Sequence, residues 1–159
     1  MRTRHPESPG RDLKTKTLSI EVERKYDYDG AVFGSLGELR QVFSNLIVNA
    51  MDALAANGNK LIISVRSSRR WDAGVQGVRV SILDNGPGIA SDHLCQLFQA
   101  FYTTKGERGT GIGLWVSSTI IKKHGGNMRV HSSVRDGRTG TCFSVFLPIE
   151  SVGELSRAV

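Results

Sequence analysis

Three polar residues, Asn45, Asn49 and Asp52, follow one another at spacings of four and three in a segment that begins at Ser35. In an α-helix these spacings place all three side chains on one face, away from the apolar stripe. An amide oxygen suits Mg²⁺, which takes few protein oxygens and completes its shell with water and substrate phosphates. The alternative is that these side chains are solvated on the surface of a helix. The residues that face them decide between the two interpretations.

Asp84 ends a segment whose alternate residues are apolar, so its carboxylate continues an inward-facing row. The other members of that row are Val78, Val80 and Ile82. A buried carboxylate requires a partner, and the amino group of an adenine could donate to it. At Gly86 and Gly88 the backbone could pass close to the base, because no side chain intervenes. The alternative is a turn in which Asp84 only accepts hydrogen bonds from backbone amides.

The segment 98–114, FQAFYTTKGERGTGIGL, contains neither the G-x-x-x-x-G-K-[ST] loop nor the G-x-G-x-x-G fingerprint. Its last three glycines precede a predicted helix: Gly109, Gly111 and Gly113. The amides and the dipole at the start of that helix could bind phosphate, with added charge from Lys105 and Arg108. The alternative is a flexible surface loop.

Three further residues have two interpretations each. Phe98 and Phe101 could anchor the ends of the glycine-rich loop, or they could be ordinary core aromatics. Thr141 begins the apolar face of the last predicted strand. Its hydroxyl could contact an adenine or a water between the adenine and Asp84. The alternative is a core threonine whose hydroxyl is hydrogen-bonded within the protein.

Hydrophobic periodicity predicts the elements that must position these residues. The longest helix begins at Ser35-Leu36-Gly37-Glu38, which has the form of a capping box, and ends near Asn57-Gly58. Strands are predicted over 17–23, 60–66, 77–84, 127–132 and 140–147, with a further short one over 31–34, and helices are predicted over 91–98 and 113–124. Hairpin-like strand pairs favour an α+β fold, a two-layer α/β sandwich, over a parallel doubly wound sheet.

The net charge of +6 over 159 residues is concentrated at the N-terminus, where residues 1–16 hold five Lys/Arg and two acidic residues. Elsewhere no aromatic residues alternate with clustered bases, so nucleic-acid binding is not expected. No stretch approaches the ~20 apolar residues of a membrane span, so we expect a cytoplasmic domain without direct membrane contact. Cys95 and Cys142 are expected to be buried and inert. We predict a basic linker or tail over 1–16, one domain over 17–149 and a C-terminal tail over 150–159.

Four segments occur in order, QVFSNLIVNAMDA, DNGPGI, FQAFYTTK and GTGIGL. Together they resemble the asparagine, first glycine, phenylalanine and second glycine boxes of sensor histidine kinases. The resemblance extends over roughly residues 15–148 and includes the sequences HGG at 124–126 and GT-x-F at 140–143. It implies the Bergerat ATP-binding fold of the GHKL superfamily, a mixed sheet of about five strands with three helices on one face. ATP would lie between the helices and the glycine-rich loop.

The resemblance implies a role for each matching position. Asn49 would be the Mg²⁺ ligand, Asn45 a metal or phosphate contact, and Lys105 a residue on the phosphate side; these three are the expected catalytic residues. Asp84 would accept a hydrogen bond from the adenine. The residues expected to bind ATP are Asn45, Asn49, Asp52, Asp84, Gly86, Gly88, Ile89, Phe101, Thr103, Thr104, Lys105, Arg108, Gly109, Thr110, Gly111, Ile112, Gly113, Leu114 and Thr141.

Two positions depart from the family pattern. Many members have a basic residue three positions after the magnesium asparagine and an aromatic residue after that, where this chain has Asp52 and Ala53. We therefore expect the phosphate charge to be neutralised by the metal or by Lys105 and Arg108.

Position 45 indicates which reaction such a site would perform. ATPases and serine kinases of this superfamily have a glutamate there as a base, and Asn45 is not a base. A histidine acceptor is already a nucleophile, so transfer to it depends on positioning and charge neutralisation. The resemblance thus favours a protein-histidine kinase domain that uses Mg-ATP. The alternatives are an ATP-hydrolysing module of the superfamily and a non-catalytic domain that binds nucleotide as a ligand.

The histidine that accepts the phosphoryl group is expected outside this chain. His5 is followed by Pro6 and Pro9, which are incompatible with the helical hairpin that carries such a histidine. By the layout of the family, the dimerising hairpin of the same kinase would precede residue 1. A response regulator would be the downstream partner in a two-component system.

Overall fold

Five strands and three helices make up the part of the chain that the computed structural model describes, residues 19–69, 74–103 and 109–149. In chain order they are β1 (Glu21–Asp27), α1 (Leu36–Ala56), β2 (Lys60–Arg69), β3 (Gln76–Asp84), α2 (Ser91–Leu94), α3 (Gly113–Lys123), β4 (Asn127–Arg135) and β5 (Arg138–Pro148). The strands form one sheet in the order β1-β2-β3-β5-β4. Strand β1 is parallel to β2, and all other neighbours are antiparallel. This confirms the predicted α+β fold with a mixed five-stranded sheet.

Helix α1 presents one narrow apolar stripe to the sheet. The hydroxyl of its N-cap, Ser35, accepts a hydrogen bond from the amide of Glu38 at 3.4 Å, which confirms the predicted start of the helix. The buried residues of the helix recur every four positions: Val42, Leu46, Ala50 and Leu54. The helix ends at Ala56, and Gly58, with a φ of +116°, redirects the chain into β2.

The core lies between this stripe, helix α3 and one face of the sheet. Its fully buried large side chains come from α1, β3, α3 and β5: Leu46, Leu54, Ile82, Ile121 and Val145. Because the two longer helices also contact each other, the relative position of α1 and α3 is fixed by the same core that supports the sheet.

His124 connects the beginning of α1 to the end of α3. Its Nδ1–H donates to the carbonyl of Ile120 at 2.8 Å, and its Nε2 accepts from the amide of Ser35 at 3.0 Å, so a neutral imidazole has both nitrogens satisfied. Beside it, Lys123 Nζ lies 2.7 Å from Glu38 Oε1. Glu38 therefore pairs with α3 and does not make the reciprocal bond of a capping box, since the Ser35 amide is already donated to His124.

Helix α3 ends at Lys123, close to the predicted end at 124, and a glycine pair follows it. Gly125 has a φ of +71°, and its amide donates to the carbonyl of Lys122, while the amide of Gly126 donates to that of Ile121. These two bonds form a Schellman motif, in which a left-handed glycine satisfies the last carbonyls of the helix.

The first strand lies further along the chain than the predicted 17–23. Its position follows from pairing with β2, because the Glu21 amide donates to the carbonyl of Asn59 and Lys60 pairs with Glu23 at 3.0 Å. Val22 is exposed, so the apolar alternation was a poor guide to this edge strand, which pairs with β2 along its whole length. The predicted tails, 1–16 and 150–159, lie outside the described residues.

Three other predictions about local structure differ from the structure. No strand forms over 31–34, and the Tyr28 hydroxyl donates to the carbonyl of Ala31. Helix α2 is shorter than the predicted 91–98 and is followed by turns. Cys95 is exposed, so the prediction that it is buried is wrong, because the turn after α2 does not pack it into the core.

Strands β4 and β5 are longer than the predicted 127–132 and 140–147. Strand β4 continues to Arg135, and β5 already begins at Arg138. The two residues between them, Asp136-Gly137, close the hairpin, and Gly137 has a φ of +74°. This dipeptide is a strong two-residue hairpin signal that the sequence interpretation left out. Within the described ranges, no helix is both long and apolar enough to cross a bilayer.

We expect Leu46→Ala to lower the free energy of unfolding by about 2–5 kcal/mol, because it removes a fully buried side chain between α1 and the sheet. Val48→Ala on the same helix is the matched control, since Val48 is 56% exposed and its truncation should change stability by less than about 0.5 kcal/mol. Urea denaturation of both variants measures the difference. Equal losses would contradict the assignment of the core stripe.

Candidate functional site

Asp84 is the buried charged group of the site. It is 2% exposed at the end of β3, in a row with three apolar side chains of that strand, as predicted. Its Oδ1 accepts a hydrogen bond from the amide of Gly86 at 2.9 Å. Burial raises the pKa of the Asp84 carboxyl, and hydrogen bonds from the backbone amides of Gly86 and Thr141 oppose that rise. Asp84 therefore accepts a backbone hydrogen bond through one oxygen, as the turn interpretation predicts. Its carboxylate is also buried on the inner face of the sheet, as the alternation of β3 predicts.

Two glycines after β3 leave no room for a side chain. A Cβ on Gly86 would lie 2.8 Å from Asp84 Oδ1 and 3.0 Å from the Cβ of Ala53 on α1. A Cβ on Gly88, which has a φ of +79°, would lie 2.0 Å from the carbonyl oxygen of Ser133. A side chain at Gly88 is excluded by the backbone of β4, and one at Gly86 would press on the buried carboxylate and on Ala53 of α1.

Thr141 lies beside Asp84 on the same face of the sheet. The two residues are paired in register between β3 and β5, and Thr141 is 3% exposed. Its Oγ1 is 2.8 Å from the Oγ of Ser132 on β4. Sequence reasoning did not select Ser132, although it continues the inward alternation of Met128 and Val130 in the predicted strand.

Asn45 joins the polar face of α1 to the first turns of α3. Its Nδ2 donates to the carbonyl of Gly113 at 3.3 Å and to the hydroxyl of Ser117 at 3.2 Å. Ser117 is completely buried and was not selected from the sequence, although its position one turn after Gly113 was a usable signal. The amide nitrogen of Asn45 is thus committed to the helix pair. Asn49 is half-buried one turn further along α1, and Asp52 is exposed.

The two ends of the glycine-rich loop are held together at Phe101 and Gly111. The Phe101 amide donates to the Gly111 carbonyl at 3.0 Å, and both residues have a left-handed φ, of 66° and 65°. Phe101 is 77% exposed and so is not a core aromatic, whereas Phe98 packs against the core. A Cβ on Gly111 would lie 2.4 Å from the carbonyl carbon of Phe101, so glycine is required for this closure.

Helix α3 begins without a side-chain cap. Its N-cap is Ile112, whose side chain makes no capping hydrogen bond to the first turn, which begins at Gly113. The amides of this turn and the positive end of an 11-residue helix can interact with an anion. Thr103 and Gly109 are half-buried and Thr110 is exposed at the edges of the loop. The predicted phosphate contacts Thr104, Lys105 and Arg108 lie outside the described residues.

The structure brings the predicted residues together in two groups joined by α1. At one end Ala53 touches the backbone of Gly86 beside Asp84, and at the other Asn45 bonds to the start of α3. The first group combines a buried acceptor with bare backbone, which fits a flat heterocycle that carries an amino group. The second combines uncapped amides with amide side chains, which fits phosphate and a hard cation. A nucleotide with Mg²⁺ has both parts.

The family model for "Histidine kinase-, DNA gyrase B-, and HSP90-like ATPase" matches residues 34–151. Among curated proteins, the chain is 41% identical over 111 residues to the sensor histidine kinase ZraS of Escherichia coli, over 70% of this chain and 22% of ZraS. It is 38% identical over 120 residues to sporulation kinase E of Bacillus subtilis, over 76% of this chain and 15% of that kinase. The chain therefore spans about a fifth or less of the length of these two relatives.

Solved structures have the same fold. The catalytic domain of histidine kinase ThkA superposes with a TM-score of 0.58 and 29% identity, covering 80% of this chain and 79% of that domain. Full-length ShkA in complex with AMPPNP superposes with a TM-score of 0.64 and 25% identity, covering 85% of this chain and 27% of ShkA.

We expect Asp84→Asn to become more stable relative to the wild type as pH rises. Because burial raises the pKa of Asp84 above its ordinary value of 3.8, the folded wild type binds more protons than the unfolded chain between the two pKa values. Wild-type stability from this group is therefore greatest at low pH and falls through that interval, whereas asparagine does not titrate.

Urea denaturation of both ligand-free proteins from pH 4 to pH 8 measures this difference. The exposed Asp92→Asn is the control for loss of a surface charge. A stability difference between Asp84→Asn and wild type that falls with pH would contradict the assigned direction of the pKa shift.

Proposed function

Because the chain belongs to the histidine kinase-, DNA gyrase B- and HSP90-like ATPase family, we propose that it binds Mg-ATP and transfers the γ-phosphate to a histidine. The acceptor histidine lies on a dimerising helical hairpin of the same kinase, outside the residues described here. A response regulator then receives the phosphoryl group in a cytoplasmic two-component pathway. The named relatives, which are sensor and sporulation kinases, support this assignment.

The buried Asp84 carboxylate is the observation that supports the base site. It lies beside Gly86, where a side chain would collide with both Asp84 and α1. A carboxylate oxygen accepts the exocyclic amino group of adenine, and the glycine backbone lies along the base. Thr141 adds a second polar group at the same end of the site. Gly88 and Ile89 continue the backbone on this side.

The phosphate and metal end is formed by α1 and α3. Asn49 is the proposed Mg²⁺ ligand, because an amide oxygen is a hard neutral ligand for a cation that also binds phosphates. Asn45 is a neighbouring contact through its oxygen, since its nitrogen bonds to α3. The first amides of α3 favour the phosphate charge. Lys105 and Arg108, which lie outside the described residues, would add positive charge. Asp52 is exposed and acidic, so it would not neutralise phosphate.

The amide side chain of Asn45 supports transfer to histidine over hydrolysis. A base that activates water needs a free lone pair of suitable pKa, and a neutral amide has none. An imidazole acceptor attacks without a base, so positioning and neutralisation of phosphate charge suffice. His124 is unsuited to be the acceptor, because both of its nitrogens are bonded to backbone groups of α1 and α3.

Asn49→Ala tests the metal site. We expect the variant to bind ATP without Mg²⁺ about as well as the wild type, and to lose most of the increase in affinity that Mg²⁺ gives, about tenfold for one lost ligand. Calorimetric titration with and without Mg²⁺ measures this. The exposed Ser44→Ala on the same helix is the control. If Asn49→Ala keeps the full Mg²⁺ dependence, the metal assignment is wrong.

Labelled ATP tests the reaction. With the chain and the cognate helical hairpin mixed, we expect label on a histidine of the hairpin, stable in base and labile in acid. Release of free phosphate without protein labelling would identify the alternative, an ATP-hydrolysing module. Tight nucleotide binding with neither outcome would support the third alternative, a non-catalytic interaction domain that uses nucleotide as a ligand.

A further inference from the structure

The hydroxyl of Ser132 is a junction of three polar groups behind the base end of the site. Its Oγ lies 2.8 Å from the amide nitrogen of Ile89, 2.8 Å from the carbonyl oxygen of Gly140 and 2.8 Å from the Oγ1 of Thr141. Each distance is that of a good hydrogen bond. Ser132 therefore links the loop after β3 to two consecutive residues of β5.

The number of protons determines the direction of each bond. A serine hydroxyl has one proton to donate and two lone pairs. The Gly140 carbonyl can only accept, so the Ser132 proton goes to it, and the Ile89 amide can only donate, so it uses one lone pair. The second lone pair is left for Thr141. The hydroxyl of Thr141 must therefore donate to Ser132.

With its proton directed to Ser132, Thr141 can only accept hydrogen bonds from the site. Its register neighbour, Asp84, is also an acceptor. Both side chains are almost fully buried on the inner face of the sheet, at 3% and 2% exposure. The base end of the site therefore presents two acceptors and no hydroxyl donor from this pair.

We propose that Ser132 is a positioning residue that fixes the Thr141 hydroxyl as an acceptor beside Asp84, and so selects a purine with an amino group at position 6. This inference rests on the proposed nucleotide function and extends it to base specificity. A purine with a carbonyl at that position meets two acceptors and leaves buried polar groups unpaired, which strongly disfavours it.

The same hydroxyl also fixes the backbone along which the base lies. The Ile89 amide that donates to Ser132 follows Gly88, whose backbone is already in close contact with Ser133. Ser132 thus holds the loop and the polarity of Thr141 through one oxygen. Loss of the loop contact alone would weaken the binding of all nucleotides equally. Loss of the fixed direction of the Thr141 hydroxyl would instead change the preference between bases.

The ratio of affinities for Mg-ATP and Mg-ITP tests the inference, measured with the whole chain by calorimetry. We expect the wild type to prefer ATP, and Ser132→Ala to lower that preference by about tenfold, the scale of one hydrogen bond. The freed Thr141 hydroxyl can then turn and donate to the carbonyl of ITP. Ser132→Thr, which keeps a hydroxyl, should retain the preference. If Ser132→Ala does not fold, Ser132→Cys replaces it, because a thiol forms only weak hydrogen bonds.

A double-mutant cycle with Thr141→Val separates positioning from a structural role. If Ser132 acts through Thr141, the alanine substitution should change the ATP-to-ITP ratio little once Thr141 is valine. An equal loss of affinity for both nucleotides in Ser132→Ala, or additive effects in the cycle, would overturn the inference and leave the proposed function intact. A wild-type chain that binds neither nucleotide would overturn both.

Discussion

The burial of the Asp84 carboxylate is the constraint on which the rest of the site depends. A charge in an apolar row is unfavourable for folding unless polar groups surround it, and the backbone amides of Gly86 and Thr141 donate to this carboxylate. The Gly86 amide reaches it where the chain turns tightly against α1. The proposed acceptor for a base and the bare backbone beside it therefore lie in the same turn after β3.

The second requirement is a fixed distance between this base end and the start of α3, which α1 provides. Helix α1 touches the backbone of Gly86 through Ala53 and bonds to α3 through Asn45. At its other end, His124 and Lys123 tie its first turn to the last turn of α3. A helix held at both ends and in the middle is a rigid support on which the proposed phosphate contacts would keep their position relative to the buried carboxylate.

Sequence predicted the elements whose signals are local and repeated, and missed those decided by distant partners. Three positions of the buried stripe of α1, Leu46, Ala50 and Leu54, follow from the helical periodicity, and the end of α3 follows from the glycines after it. The position of β1 depends on its pairing with Lys60, and the exposure of Phe101 depends on the closure by Gly111, which lies across a loop. Ser132 was missed for the same reason, since its three partners lie on other segments.

The hydrogen bonds of Asn45 connect the proposed reaction type to the packing of α1 and α3. The Asn45 nitrogen donates to the carbonyl of Gly113 and to the buried hydroxyl of Ser117, so the α1–α3 contact uses a donor at this position. A glutamate, the base of the hydrolases, has no donor when ionised and would set a carboxylate against the Gly113 carbonyl. Conversion to a water-activating site would therefore need a new pairing of the two helices as well as a new side chain. The asparagine is thus part of the structure that positions α3, and its lack of basicity is consistent with an acceptor that needs no base.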